Sequence, residues 1–290
     1  MRIGFIGLGN MGGPMAANLA AAGHDVRGHD TAAPMPDGVN AADSAADAAM
    51  QADVVITMLP DGAVLRAVAD QVLPAMTPGA VLLDCSTVDV DSARAVAAQA
   101  ADREVHALDA PVSGGVVGAT AGTLTFMVGG RAEALVTVQP LLDVMGGRTV
   151  HCGPAGNGQA AKICNNMILG ATMAVTCEAF ALADKLGLDR QAMYDVASTS
   201  SGQSWSLTTY CPAPGIGPQS PADNDYKPGF AAELMVKDMR LAMQAADAVD
   251  AATPVGAEAL RQYAEFVETE DGRGRDFSAL LLRSSRDRRH

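Results

Sequence analysis

The stretch Arg2-Ile-Gly-Phe-Ile-Gly-Leu-Gly-Asn-Met-Gly-Gly-Pro-Met-Ala-Ala-Asn-Leu19 decides the fold. An apolar strand runs into a glycine turn, and the turn opens an Ala/Met/Leu-rich helix. Gly7, Gly9 and Gly12 stand at the GxGxxG spacing, enclosing Leu8, Asn10 and Met11. Gly7 permits the tight turn, Gly9 leaves room for a pyrophosphate against the backbone, and Gly12 lets the helix pack close to the strand. The helix N-terminus then offers free N–H groups and the positive end of its dipole to phosphates. The competing reading is a purely structural glycine-rich turn, but the strand before and the helix after are the context the dinucleotide motif requires.

Strand-like apolar runs at 2–6, 25–30, 53–58, 80–85, 104–109, 124–129 and 148–151 alternate with helical stretches near 11–22, 43–50, 62–75, 90–101 and 132–145. Such alternation predicts an α/β fold with a mostly parallel, doubly wound sheet. After Gly158 the pattern changes. Residues 158–186 form a long, mostly apolar, breaker-poor run with helical character all round, which predicts a buried helix. Further helices are expected at 189–199, 232–248, 254–268 and 276–283. Residues 200–230, rich in Ser, Gly, Pro and Asn, read as a long loop of the kind that often carries function. Two domains are expected: a dinucleotide-binding domain over 1–157 and an all-helical domain for substrate and oligomerisation over 158–290.

The net charge of −13 disfavours nucleic acid and anionic membranes as partners. An anionic substrate must therefore be held by local positive groups. The basic cluster Arg283, Arg286, Arg288, Arg289 and His290 reads as a solvated tail. Five scattered cysteines form no zinc-like cluster, so no metal is expected, and reduced thiols in the cytoplasm are. The first strand begins at residue 2, which leaves no room for a targeting peptide, and no apolar run reads as long enough to span a membrane. The apolar helices of the second half make a homodimer or homotetramer the expected assembly.

Asp30 ends the second strand about twenty residues after the glycine turn, where a carboxylate accepts ribose hydroxyls and repels a 2′-phosphate. With no Arg following it, the expected cofactor is NAD and not NADP; the alternative is an Asp that starts a turn. Met58-Leu59-Pro60 and Asp84-Cys85-Ser86-Thr87 end two further strands at the carboxyl edge, where ligands bind in open α/β sheets. Thr87 there is equally a cofactor contact or part of a helix cap. In Asp109-Ala-Pro-Val-Ser-Gly-Gly115, the Ser113 hydroxyl and the backbone of Gly114 and Gly115 form a candidate nest for a carboxylate, or a plain loop. Lys162 is a cation near the start of an apolar helix, with Asn166 one turn on. A desolvated Lys, whose ordinary pKa is about 10.4, loses basicity and can exchange protons near neutrality; the alternative is a side chain snorkelling to water. Lys237-Asp238, taken alone, reads as a surface pair.

These residues resemble the β-hydroxyacid dehydrogenase family over nearly the whole length. The blocks that carry the resemblance are the first glycine turn, Asp109–Gly115, Gly158-Gln-Ala-Ala-Lys-Ile-Cys-Asn-Asn166, and the loop from Ser200 through Tyr210-Cys-Pro-Ala-Pro-Gly215 to Lys237. The loop, with Trp205, is similar more narrowly to the branch that acts on 3-hydroxyisobutyrate. The resemblance implies a Rossmann domain joined to a helical domain by a long helix, with the active site between them. It implies Lys162 as acid/base, Asn166 as a substrate-holding residue, and Ser113, Gly114 and Gly115 as binders of the substrate carboxylate. It assigns Lys237 to substrate or cofactor, and Asn10, Met11, Leu59, Pro60 and Thr87 to the cofactor. The implied reaction is NAD-dependent oxidation of 3-hydroxyisobutyrate to methylmalonate semialdehyde, a step of valine breakdown. A tartronate semialdehyde reductase or a serine-type dehydrogenase would share the same catalytic residues. A non-catalytic dinucleotide-binding module would not need the Lys162/Asn166 pair. One departure stands out: residues 31–44 are short, so the helix after Asp30 is expected to give way to a loop containing Pro34 and Pro36.

Overall fold

The computed structural model describes residues 1–285 of the chain. It divides into two compact units, Met1–Lys162 and Ile163 onward.

In the first unit, strands β1 (Arg2–Ile6), β2 (Asp25–His29), β3 (Asn40–Ala41), β4 (Val54–Thr57), β5 (Val81–Asp84) and β6 (His106–Asp109) all run parallel, in the order β3-β2-β1-β4-β5-β6. Between them lie α1 (Gly12–Ala21), α2 (Ala45–Ala49), α3 (Gly62–Val72) and α4 (Val90–Ala101). The sheet continues through β7 (Val112–Ser113), α5 (Gly115–Ala121), β8 (Leu124–Gly129), α6 (Ala132–Met145) and β9 (Gly146–Gly153). β8 runs antiparallel to β6 and β7, and β9 pairs parallel with β8.

The central strands are buried on both faces, so their sequences read as unbroken apolar runs. Ile3, Phe5, Ile56 and Leu83 pack against Met15 and Leu19 of α1 and Leu141 of α6. Ile6, Val55 and Leu82 point the other way, into the core under α2, α3 and α4. This is the doubly wound Rossmann arrangement that the alternation predicts. The segment after Asp30 is a loop, as its length and prolines suggest, with only the two-residue β3 before α2. The sequence reading missed β3, β7 and α5, each too short to show a period.

The second unit contains most of α7 (Asn157–Leu186), whose first six residues belong to the first unit. It continues with α8 (Arg190–Thr199), α9 (Trp205–Thr208), α10 (Ala232–Ala248), α11 (Pro254–Thr269) and α12 (Leu280–Ser284). Its core joins Met173, Cys177 and Phe180 of α7 to Met235 and Met239 of α10, Tyr263 and Phe266 of α11, and Phe277. The expected loop over 200–230 is ordered by one fully buried carboxylate. Asp276 Oδ2 accepts from Tyr210 Oη and from the Gly229 and Phe230 N–H groups, while Oδ1 accepts from Ser278. Trp205 stacks on Tyr210 with ring centroids 4.9 Å apart.

Three expectations need correction. α7 is not buried all round: Met173, Cys177 and Phe180 are, but Ile168, Val175, Leu182 and Leu186 are exposed. By length and composition α7 is also apolar enough to cross a membrane, with a mean hydropathy of 1.4 in an 18-residue window; 50% of that window is buried within the protein. Alanine and the scattered polar residues had masked both properties. Finally, Arg283 is not part of a solvated tail. It sits in α12 and pairs with Glu265 and Glu270 at 2.5 and 3.0 Å. Arg286, Arg288, Arg289 and His290 lie outside the described residues.

Candidate active site

Parallel strands deliver their carboxyl ends to one edge of the sheet, and the first unit's candidate residues follow from that. The turn Gly7–Gly12 leaves β1 at this edge. Gly7 has φ +91°, and a Cβ there would strike the Met58 carbonyl; at Gly12 one would strike the carbonyl of Gly7. Around Gly9, by contrast, a Cβ would meet nothing within 4 Å, which leaves open the approach a pyrophosphate needs. The first turn of α1 carries no acidic residue to repel phosphate. These features fit a dinucleotide.

Asp30 braces this turn. Its Oδ2 accepts from Leu8 N at 2.7 Å, and its Oδ1 accepts from Ala32 N and Ala33 N at 2.7 Å each. Burial opposes ionisation, but the N–H groups of Ala33, Ala32 and Leu8, with His29, hold the carboxyl below its usual range. Asp30 thus both starts a turn and presents a fixed negative charge. Only Oδ2 keeps a free lone-pair direction among these contacts, so a ribose hydroxyl would have to approach there.

Leu59 and Pro60 follow β4, and Thr87 follows β5. A buried network ties these loops together. Ser86 Oγ accepts from Leu59 N at 2.8 Å and donates to Asp84 Oδ1 at 2.5 Å, which also accepts from Thr57 Oγ1 at 2.7 Å. The Gln159 side chain, from the first turn of α7, donates to Ser86 O and accepts from Val88 N. Asp84 and Asp109 sit opposite each other on neighbouring strands. Burial is the main force raising the Asp84 carboxyl, to about 6; Ser86 and Thr57 pull it down, and Asp109 adds to the rise. Among the described residues, Asp84 Oδ2 has no hydrogen-bond partner.

Asp109 holds the start of α7. Its Oδ1 accepts from Gly156 N at 2.7 Å and its Oδ2 from Gln159 N at 2.9 Å. A negative charge at this end also complements the helix dipole. Burial raises its pKa, against the pull of the backbone N–H groups. Gly158 packs so closely that a Cβ would collide with the carbonyls of Asp109 and Met127. One turn on, Lys162 is 6% exposed, and its Nζ donates to Val112 O at 2.7 Å. Lys162 is therefore not a snorkelling side chain. It is anchored to the residue before Ser113, where Gly114 and Gly115 have φ of +133° and +61° and lead into α5.

The second unit holds the remaining candidates. Asn166 is buried, and its Nδ2 donates to Asp238 Oδ2 at 2.6 Å. Lys237 Nζ lies 3.7 Å from Asp238 Oδ1. Lys237-Asp238 is thus no surface pair, since Asp238 is 3% exposed and only Lys237 reaches the surface. Gln159, Asp109 and Asp238 are the structural residues that the sequence reading passed over or misjudged. Asp238 falls in line with the buried Met235, Met239 and Ala242, a helical spacing that could have revealed it.

Residues 2–153 match the family described as the NAD binding domain of 6-phosphogluconate dehydrogenase, and residues 156–283 that described as the NAD-binding domain of NADP-dependent 3-hydroxyisobutyrate dehydrogenase. A probable 3-hydroxyisobutyrate dehydrogenase of Mycobacterium bovis is 49% identical over 284 residues, covering 96% of both chains. An NAD-dependent L-serine dehydrogenase of Pseudomonas aeruginosa is 45% identical over 287 residues, again 96% of both. The solved structure of Mycobacterium tuberculosis 3-hydroxyisobutyrate dehydrogenase with L-serine matches with a TM-score of 0.94 and 49% identity, over 97% of this chain and 98% of that one. Fold and glycine turn together define an NAD-dependent oxidoreductase. The chain belongs to the 3-hydroxyisobutyrate dehydrogenase family.

The two buried carboxylates of the first unit can be tested separately. Asp109→Ala leaves two buried N–H groups without acceptors, at a cost of about 1–3 kcal/mol each. Thermal unfolding should show a clearly lowered Tm, and steady-state assays should show a kcat reduced more than the affinity for NAD; an unchanged Tm would refute the clamp. For Asp84, the folded-state carboxyl near 6 lies above its ordinary 3.8. Its protonated form is favoured in the native protein, so its contribution to stability is complete below about pH 4 and is lost as pH rises through 6. Tm measured from pH 4 to 7 should fall less steeply in Asp84→Asn than in the unsubstituted protein.

Proposed function

We propose that the protein oxidises 3-hydroxyisobutyrate to methylmalonate semialdehyde, with NAD, in the breakdown of valine. The observation that carries this reading is Lys162, buried and fixed by Val112 O at 2.7 Å beside the Ser113–Gly115 turn. Ser113 Oγ and the backbone of Gly114 and Gly115 hold the substrate carboxylate. Lys162 Nζ takes the proton of the β-hydroxyl as a neutral amine, and its ammonium form returns it in the reverse direction. NAD, when bound, supplies the acceptor for the hydride that leaves the same carbon. Asn166 is a second polar contact to the substrate, its amide oriented by Asp238. Lys237 meets substrate or cofactor. Gly7, Leu8, Gly9, Asn10, Met11 and Gly12 receive the pyrophosphate, Asp30 the adenosine ribose, and Leu59, Pro60 and Thr87 the nicotinamide end.

The fixed charge on Asp30 supports NAD over NADP. Residues 1–157 form the NAD-binding domain in this reading, and residues 158–290 the domain for substrate and oligomerisation. Five free cysteines suit the reducing cytoplasm. The apolar exposed face of α7 supports a homo-oligomer. A serine-type dehydrogenase is the second reading, favoured by the relative named for L-serine and by the matching Mycobacterium tuberculosis structure, which was solved with L-serine. It uses the same residues and differs in the pocket around the substrate's C2.

Lys162→Ala should lower kcat by about 10²–10⁴-fold while NAD binding, followed by fluorescence titration, stays within about twofold. Near-normal turnover would rule out the role given to Lys162. Steady-state assays on 3-hydroxyisobutyrate, L-serine and reduced tartronate semialdehyde, each with NAD and NADP, should give the highest kcat/KM for 3-hydroxyisobutyrate with NAD. A higher value for L-serine would favour the second reading.

A further inference from the structure

Gln159 is a neutral amide, fully buried in the first turn of α7. An apolar residue would fill that position without desolvating polar atoms. A buried amide is tolerated only where both its ends find partners. Both do: Nε2 donates to Ser86 O at 2.8 Å, and Oε1 accepts from Val88 N at 3.1 Å. Those two backbone groups flank a single residue, Thr87. A carbonyl and an N–H two residues apart are also what a neighbouring parallel strand takes. The Gln159 amide therefore holds the chain beyond β5 as one further step of a strand would.

The same residue is gripped from its main chain. Its N–H donates to Asp109 Oδ2 at 2.9 Å, which pins it to the end of β6. It thus bridges the ends of two neighbouring strands, main chain to β6 and side chain to the loop after β5. Lys162 follows three residues on, along the same side of the helix, and its Nζ reaches Val112 O at 2.7 Å. Ser86, whose carbonyl Gln159 engages, also accepts from Leu59 N through its hydroxyl at 2.8 Å. Leu59, Thr87 and Lys162 therefore share one connection. Gln159 is the link in it that an apolar side chain could not replace.

We infer that Gln159 is a positioning residue for the nicotinamide half of the cofactor: it fixes the backbone on both sides of Thr87 and keeps that residue in register with the helical turn that carries Lys162. Both ends of its amide are engaged by backbone, so it acts through Thr87 and not by contact with the cofactor. The inference rests on the cofactor placement proposed above, with Thr87 at the nicotinamide end, and adds the residue that holds Thr87 there. Removing the amide frees Ser86 O and Val88 N and lets the loop settle elsewhere. The glycine turn and Asp30 follow β1 and β2 and are braced by their own hydrogen bonds, so the adenosine half is held independently.

Titration of the full chain with NADH and with ADP-ribose, which lacks the nicotinamide, tests it. The unsubstituted protein should bind NADH more tightly than ADP-ribose. Gln159→Leu keeps the bulk and loses both hydrogen bonds. It should weaken NADH about tenfold or more, leave ADP-ribose within about twofold, and lower kcat about tenfold or more. A residue that only supported the fold would weaken both ligands together, so an equal loss, or none, overturns the proposal. If the unsubstituted protein binds NADH no better than ADP-ribose, the placement of Thr87 fails and this inference with it. If it does bind NADH better and Gln159→Leu keeps the difference, the cofactor placement stands and only this inference fails. Should Gln159→Leu misfold by circular dichroism, Gln159→Asn decides by the same comparison, since it keeps the amide but falls one methylene short. NADH binding by that variant within about twofold of the unsubstituted protein overturns the proposal.

Discussion

The arrangement of the first unit depends on the contact between the Asp109 carboxylate and the first turn of α7. A helix start leaves several N–H groups without intrahelical partners, and a buried start makes that costly. Here a side chain from the end of β6 accepts two of them, from Gly156 and Gln159. That fixes the first turn of α7 against the carboxyl edge of the sheet. It thereby fixes the two polar side chains the turn carries, Gln159 toward the β5 loop and Lys162 toward Val112. The glycine at 158 belongs to the same constraint, because a larger residue would push the helix off the strand ends. The Lys162 amine, held this way, owes its position to backbone and sheet, not to a flexible loop.

The Asp84–Ser86–Leu59 network does for the loops after β4 and β5 what Asp109 does for the helix. Ser86 Oγ acts as donor and acceptor at once, so one hydroxyl links the loop after β4 to the end of β5. Its acceptor, Asp84, is fully enclosed and close to a second buried carboxylate. Burying a carboxylate carries a desolvation cost that apolar packing would avoid. Its hydrogen bonds to Ser86 and Thr57 fix a loop geometry that apolar packing would not specify.

The fold was largely legible. The glycine turn, the run of apolar strands and the position of Asp30 all express constraints that act within twenty or thirty residues, and these appear as spacing. Lys162 stood out because a cation in an apolar run contradicts its surroundings. Asp109 and Asp238 were harder to judge: a carboxylate's role depends on which distant N–H or amide reaches it, and Gly156 and Asn166 are far away in sequence. The error on Lys237-Asp238 has the same origin. Its two residues are neighbours in the chain but face differently, one into the core line of α10 and one outward. The roles of Asn166 and Lys237 toward a substrate are legible only through family resemblance, since spacing says nothing about what fills a pocket.

α7 shows why a uniform apolar reading misleads. One face carries Gln159, Lys162 and Asn166 and then Gly170, Met173, Cys177 and Phe180, all buried. The first part of that face is polar because each side chain there meets a specific partner: Ser86 and Val88, Val112, and Asp238. The later part is apolar because it meets only core. The opposite face, at Ile168, Val175, Leu182 and Leu186, is apolar and exposed. Averaged around the helix, these three zones give a long apolar segment. Resolved by face, they separate a polar zone, a core zone and an exposed apolar surface.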